Sequence, residues 1–320
     1  MKKTLIPFFF TSFACIFLLF LLFYSKECIS LASNGLLIWY RNMIPSLFPF
    51  MVLSGFMVRT GLSLKIGQLL QPILGLFFPL SSQMLYAIFM GFLCGFPMGA
   101  KMVADLLEKE QLTLKEGEYL LAFCNNIGPL YMLGYVIPLF EYKDIWKILG
   151  FMYLIPISYG ILLRYICPSY YSISIHNKKL TSPIKQNYLT SFQYSLSSAI
   201  EQITLLGGCM VFFNCLLIFP KLLGNFLSRT MLGSLSVFPV AILSSIIEIG
   251  GGLQQLAAFS PKTTSDVLCV FLPLSLLTFG GFSCITQTCF ILKNTGLKIR
   301  TYIAHKLIQS CIFIILIFIL

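Results

Sequence analysis

The chain has 320 residues, of which 58% are hydrophobic and 10% are charged, and its mean hydropathy is +0.88. Soluble domains carry about 25% charged residues, so the composition excludes a soluble domain and indicates an integral membrane protein in contact with the lipid bilayer. The net charge is +11, but the basic residues are scattered between apolar segments and form no block that would bind nucleic acid.

The sequence does not support a catalytic or metal site. It contains no GxSxG, HExxH or P-loop motif and no paired set of histidine and carboxylate residues. The eleven cysteines include no CxxC pair, and the two histidines do not complete a zinc-binding pattern. We therefore expect no catalytic residue, no metal and no cofactor.

Two apolar segments begin the chain. Residues 4–25 carry no charge and exceed the apolar core of about 7–15 residues in a cleaved signal peptide, which predicts a retained first span. Residues 31–58 form the second segment. Its prolines, Pro45 and Pro49, predict a helix that is kinked or partly unwound.

A charge-free stretch over residues 66–100 is longer than the about 20 residues of one span. Helix-breaking residues cut it at Pro72, Gly75 and Pro79. They predict an interfacial or re-entrant piece, followed by a span from about Met84 to the glycine–proline run at 95–99. The next segment, 101–111, is amphipathic.

The spacing of Thr113 and Glu116 is that of a capping box, which predicts the start of a new helix. We expect this helix to break at 124–129 and to resume to about Phe140. A further span is predicted over 148–167.

The second part of the chain repeats this pattern after a polar connection at 168–190. Spans are predicted over 195–219, over 235–259 with a glycine run inside it, and over 267–292. Residues 263–266 look like a helix start, residues 293–306 form a basic connection, and a last apolar segment reaches residue 320.

Two predicted helix breaks, one inside a span and one in the span that follows it, recur at one offset in the two parts of the chain. Adding 153 to Gly95 gives Glu248, and adding 153 to Gly128 gives Gly281. Coincidence is the alternative, because residue identity does not support the match. The predicted fold is all-α, a polytopic transmembrane helical bundle with two repeat halves that contain broken or re-entrant helices.

Two glycine-containing runs, 95–101 and 248–252, interrupt long apolar stretches. A freed backbone group in hydrocarbon costs several kcal/mol, so such breaks are tolerated only inside protein or beside a cavity. Two broken helices in corresponding halves indicate the binding site of a transporter. The candidate substrate-binding residues are Gly95, Pro97, Gly99, Lys101, Asn125, Asn126, Gly128, Pro129, Glu248, Gly250, Gly251 and Gly252.

Glu248 is the charged residue of an otherwise apolar segment, which by default suggests function. It could coordinate a cation, carry a coupling proton or accept hydrogen bonds from substrate. Alternatively, it pairs with a lysine or arginine, or caps the glycine-rich helix.

The other candidates also have two interpretations each. Asn125 and Asn126 could bind a polar ligand or bond to the broken backbone. The glycines could expose N–H groups of a helix N-terminus to an anion or allow close helix packing. Lys101 could contact an anion or extend to the membrane interface.

The runs CGFPMGAK at 94–101 and LAFCNNIGP at 121–129 resemble the YlbJ-type sporulation integral membrane proteins. So do PSLFPF at 45–50 and EIGGG at 248–252, and the resemblance extends from about Leu36 onward. It implies gate, or nucleoside-recognition, membrane domains related to concentrative nucleoside transporters. It also implies a role in moving dipicolinic acid across the outer forespore membrane.

On this basis we expect a transporter of a small organic anion. Its expected divisions are an N-terminal span at 1–30, a first gate-like half at 31–167, a polar linker at 168–190 and a second gate-like half at 191–320. The alternatives are a permease for nucleosides or another small metabolite, and a non-transporting sporulation scaffold. The sequence is also compatible with a homo-oligomer.

Overall fold

The computed structural model describes residues 2–167, 170, 187–229, 237–259 and 267–319, and the described residues contain helices and no strand. The α-helices are α1 Lys2–Phe23, α2 Ser25–Ile38, α3 Ile44–Arg59, α4 Leu62–Phe77, α5 Ser82–Cys94, α6 Met98–Glu108, α7 Leu114–Cys124, α8 Pro129–Tyr131, α9 Ile137–Phe140, α10 Ile145–Ile166, α11 Tyr188–Leu216, α12 Ile218–Leu227, α13 Val237–Ile247, α14 Ile249–Phe259, α15 Val267–Phe279, α16 Gly281–Leu292 and α17 Ile299–Ile319. Two π-helical turns, Trp39–Met43 and Met132–Val136, join neighbouring α-helices.

Within the described residues, six helical stretches are long and apolar enough to cross a membrane. They are Ser25–Arg59, Leu114–Phe140, Ile145–Ile166, Tyr188–Leu227, Val267–Leu292 and Ile299–Ile319. The pair α4 and α5, bent by 85°, makes a seventh if it counts as one span. The predicted all-α polytopic fold is confirmed.

The predicted irregularities in the first part are present. The π-helical turn Trp39–Met43 immediately precedes α3, so the helix of the second segment departs locally from regular α-helical geometry. Pro45 follows this turn closely, as the second residue of α3, and because proline has no N–H to donate back along the continuous helix, the π-helical turn is where the helix accommodates it. The sharp bend between α4 and α5 follows the prediction of an interfacial or re-entrant piece.

Two helical hairpins distinguish the fold from a simple bundle. In the α5–α6 hairpin Gly91 faces Gly99, and a Cβ on Gly91 would lie 3.2 Å from the Gly99 Cα. In the α13–α14 hairpin the Ser244 hydroxyl donates to Gln255 Oε1 at 2.7 Å. The segment 235–259, predicted as a span with a glycine run inside it, therefore breaks at that run as predicted, but it forms a hairpin and not a single crossing. Its length suits one crossing, but the chain folds back at Glu248 into two helices of 11 residues each.

The two spans that follow the hairpins are broken, as predicted. The first stops where α7 ends at Cys124 and resumes at α8. The second breaks at Gly280 and Gly281, whose φ values of +80° and +71° lie in the left-handed region that favours glycine. The predicted capping box is also confirmed, with the Thr113 N–H donating to Glu116 Oε2 at 2.6 Å.

The last helix, α17, packs along α15 and against α7. It begins at Ile299, so the prediction of a basic connection up to residue 306 is wrong for its second part. Lys306 lies inside α17, fully buried in the protein. The predicted linker at 168–190 and the helix start at 263–266 lie outside the described residues, except for Tyr170 and residues 187–190.

Candidate functional site

Both hairpin tips and both helix breaks meet inside the bundle. A Cβ on Gly95, whose φ is +88°, would lie 2.6 Å from the Gly128 Cα, so these two backbones are in direct contact. A Cβ on Gly281 would lie 3.0 Å from a carbonyl oxygen near the end of α13. Phe96 connects the two regions, because its ring lies 3.3 Å from the position of a Cβ on Gly280. The breaks therefore form one central site.

A cavity of about 30 Å³ lies where these elements meet. Its lining comes from the π-helical turn before α3, from α3 and α11, and from both break regions: Met43, Ser46, Leu47, Cys94, Phe96, Ile127, Gly128, Tyr131, Leu206, Met210, Glu248, Ile249, Gly250, Ser283, Cys284 and Gln287. Most of these side chains are apolar. The cavity holds about two water molecules at most, whereas small-molecule sites occupy roughly 300–1,000 Å³, so this conformation is closed around the site.

Glu248 lies between α13 and α14 and is 1% exposed. Its carboxylate accepts hydrogen bonds from the Gly250 N–H at 3.0 Å, the Gly251 N–H at 2.6 Å and the Asn214 amide at 3.0 Å. No lysine or arginine nitrogen of the described residues forms an ion pair with it. The carboxylate therefore caps α14, where the helix dipole favours a negative charge, and it occupies two N–H groups that an anionic ligand would otherwise approach.

Asn125 ties the first break to three other elements. Its Oδ1 accepts from the Ala100 N–H at 3.2 Å, near the start of α6. Its amide donates to the Tyr302 hydroxyl at 3.0 Å and to the Thr288 hydroxyl at 3.3 Å. Every polar atom of this side chain is thus bonded to protein, and Asn125 does not line the cavity.

Asn126 connects the first break to a buried lysine. Its amide donates to the Phe123 carbonyl at 2.5 Å, and its Oδ1 accepts from Lys306 Nζ at 2.7 Å. Lys306 Nζ also lies 5.2 Å from the ring centroid of Phe96, a cation–π distance. Asn126 therefore supports the broken backbone with one end and holds an internal cation with the other.

The sequence prediction missed Lys306, although a signal was present. Tyr302, Lys306 and Gln309 follow one another at spacings of four and three residues, which puts them on one face of a helix. All three are buried. Gln309 donates to the Ala122 carbonyl at 2.6 Å, so this face of α17 packs on the end of α7.

Tyr131 was also missed, and its hydroxyl has no hydrogen-bond partner among the described residues. The side chain lines the cavity and is 6% exposed. Its neighbour Tyr135, with ring centroids 4.9 Å apart, donates instead to the Gly250 carbonyl at 2.9 Å. The Asn214 Oδ1 atom also has no hydrogen-bond partner within the part of the chain that the structure describes. Buried polar groups are rarely left without a partner, and of these two atoms only the Tyr131 hydroxyl belongs to a residue that lines the cavity, so it marks where a ligand can bond.

Lys101 lies away from the cavity. Its ammonium group pairs with Asp105 at 2.9 Å, and it faces a wide polar cleft of about 830 Å³ between α6, α11 and α16. Of the predicted site residues, Gly128, Glu248 and Gly250 line the central cavity. The predicted residues that do not line it are Gly95, Pro97, Gly99, Lys101, Asn125, Asn126, Pro129, Gly251 and Gly252.

Comparison with known proteins agrees with this architecture. The family model described as Gate, nucleoside recognition, matches residues 40–143, which include the α5–α6 hairpin and the broken span after it. The sporulation integral membrane protein YlbJ of Bacillus subtilis (strain 168) is 24% identical over 307 residues, which cover 87% of this chain and 74% of that protein.

The resemblance to YlbJ-type membrane proteins is thus confirmed. The similarity to YlbJ extends well beyond the Gate match and so into the second part of the chain. No solved structure matches the chain. The apolar helices and this relative together establish an integral membrane protein.

Proposed function

We propose that the protein is a membrane transporter that moves a small organic anion, dipicolinic acid, across the outer forespore membrane during sporulation. The similarity to YlbJ supports the link to sporulation. The substrate and the membrane come from the family resemblance described above.

The central cavity is the observation that carries this proposal. It is lined by residues from both break regions, including Gly128 of the first and Glu248 and Gly250 of the second. Interrupted helices in a bilayer leave backbone groups that must form hydrogen bonds inside the protein. A scaffold that only binds other proteins does not need such interruptions. A substrate site between two broken-helix elements gives these breaks a purpose.

The closed cavity implies a conformational step in transport. A volume of about 30 Å³ is too small for a pyridine ring with two carboxylates. The hairpin tips at Phe96 and Glu248 must therefore separate from the opposite breaks to admit substrate.

A nucleoside permease is the second candidate. The description of the matching family model, nucleoside recognition, favours it. The apolar cavity wall could accept a nucleobase, and the polar groups of Gln287 and Ser283 could bond to a sugar or base.

Two measurements test these functions. In a Bacillus subtilis strain that lacks YlbJ, expression of this protein should restore the dipicolinate content of spores, compared with an empty vector and with membrane levels determined by immunoblot. Purified protein in liposomes should take up labelled dipicolinate. Uptake of uridine or adenosine without dipicolinate would support the nucleoside permease, and uptake of neither would contradict transport of both substrate classes.

A further inference from the structure

Lys306 is a fully buried lysine that has no ionic partner among the described residues. Its side chain is 0% exposed, and among the described residues no carboxylate lies within ion-pair distance of its ammonium group. Its hydrogen-bond acceptor is the neutral Asn126 Oδ1, at 2.7 Å. An ammonium group has three donors, and protein acceptors account for one of them here.

Local structure does not require the positive charge. The carbonyl ends of α7 do favour nearby donors and positive charge, but the neutral Gln309 already donates to the Ala122 carbonyl. A neutral amide at position 306 could bond to Asn126 in the same way. Burying an ionisable amine without a counterion is more costly than burying an amide, so the presence of a lysine at this position calls for an explanation.

The position of Lys306 provides one. Its ammonium group lies against the ring of Phe96 at 5.2 Å from the centroid, and Phe96 also lines the central cavity. One aromatic side chain thus contacts both the cation and the site. The unpaired Tyr131 hydroxyl in the same cavity offers a second donor.

We propose that Lys306 is the specificity-determining residue that pairs with a carboxylate of the substrate, which it reaches when the Phe96 ring turns aside. The inference rests on the proposed transport function and defines its substrate class. The ligand is a flat molecule with an apolar body, which fits the walls formed by Ile127, Leu206 and Ile249, and with at least one carboxylate. A neutral nucleoside would leave Lys306 without a counterion.

The experiment compares a diacid with its neutral isostere. Full-length protein is purified in detergent, and binding of dipicolinate and of pyridine-2,6-dicarboxamide is measured by calorimetry for wild type, Lys306→Gln and Lys306→Arg. Lys147→Gln is the matched control, because it removes one lysine charge at an exposed position that pairs with Asp144.

We expect wild type to bind dipicolinate at least about tenfold more tightly than the diamide, which corresponds to about 1.4 kcal/mol. Lys306→Gln should lose this preference through weaker binding of dipicolinate, with diamide binding unchanged. Lys306→Arg should keep the preference, and Lys147→Gln should behave as wild type. A purely structural lysine would alter thermal stability without altering the preference for the diacid.

The outcomes separate this inference from the proposed function. If Lys306→Gln folds and still prefers dipicolinate as wild type does, the inference is wrong and transport of dipicolinate stands. If Lys306→Gln does not fold, the wild-type comparison decides, because equal affinity for diacid and diamide also overturns the inference. Wild type that binds neither compound contradicts dipicolinate as the substrate, and with it the inference.

Discussion

Asn214 and Glu248 are joined by a hydrogen bond of 3.0 Å between the amide of one and the carboxylate of the other. The bond connects α11 to the tip of the α13–α14 hairpin and brings three donors onto one buried carboxylate. Both carboxylate oxygens serve as acceptors, one for the Gly250 N–H and the other for the Gly251 N–H and the Asn214 amide. Glu248 therefore holds the hairpin tip in its closed position by the same contacts that cap α14.

Glu248→Gln should lower both stability and transport. The glutamine keeps one acceptor oxygen, but its NH₂ group would face N–H donors. Leaving a buried donor unpaired costs about 1–3 kcal/mol. We expect a lower melting temperature in detergent and reduced dipicolinate uptake per unit of membrane protein. Glu201→Gln, at an exposed carboxylate on α11, is the control, and normal spore dipicolinate in the Glu248 variant would reduce this residue to a structural role.

Alanine substitutions should separate the packing glycines from the site glycine. A Cβ on Gly99 would lie 2.5 Å from the Cys124 carbonyl oxygen, so Gly99→Ala should destabilise the protein by about 1–3 kcal/mol. A Cβ on Gly250 meets the Glu248 oxygens at 3.3 and 3.4 Å, contacts that the glutamate can relieve. Gly250→Ala should therefore leave the protein level nearly normal. Because Gly250 lines the central cavity, the added methyl group should reduce dipicolinate uptake.

Gly150→Ala is the control for this series, because nothing lies within 4 Å of a Cβ at that position. The measurement is dipicolinate uptake normalised to immunoblotted membrane protein. Equal and small losses for Gly99, Gly250 and Gly150 would contradict the assignment of the breaks to the site.

Tyr131→Phe should have opposite effects on stability and on binding. The hydroxyl is buried without a hydrogen-bond partner among the described residues, so its removal should leave the melting temperature of ligand-free protein unchanged or raised. If the hydroxyl bonds to substrate, affinity for dipicolinate should fall by about tenfold, the value of one hydrogen bond of about 1.4 kcal/mol.

Tyr135→Phe is the matched comparison for Tyr131→Phe. It removes the hydrogen bond to the Gly250 carbonyl, so we expect a lower melting temperature. Unchanged dipicolinate affinity in Tyr131→Phe would exclude its hydroxyl from the site.

Asn125→Ala should act on folding. It removes the hydrogen bonds to the Ala100 N–H and to the hydroxyls of Thr288 and Tyr302. Each buried partner left without a hydrogen bond destabilises the protein by about 1–3 kcal/mol. We expect less folded protein in the membrane, with the folded fraction still binding dipicolinate as wild type does. Asn225→Ala, at an exposed position, should be neutral. Normal melting with lost binding would instead make Asn125 a ligand contact.

The sequence alone was sufficient for the fold class and for the positions of the breaks. Apolar segments of span length, the capping box at Thr113 and the break before Pro129 depend on local chemistry, namely hydropathy, helix capping and the missing proline N–H. These features therefore appear in the structure where the chain order predicts them. The glycine run inside residues 235–259 also predicted a break, but local features could not show that the two parts pack side by side as a hairpin.

Tertiary structure decided which residues share the site. The contact between Gly95 and Gly128, and the burial of Lys306 against Phe96, join residues that are far apart in the chain. Local patterns give the period of a helix but not the partner of each face, because that partner is selected by packing of the whole bundle. For this reason the sequence indicated Glu248 as an isolated charge and by its residue spacing placed Lys306 on a polar helix face, whereas the contacts of Asn214, Tyr131 and Lys306 were defined only when the helices were packed together.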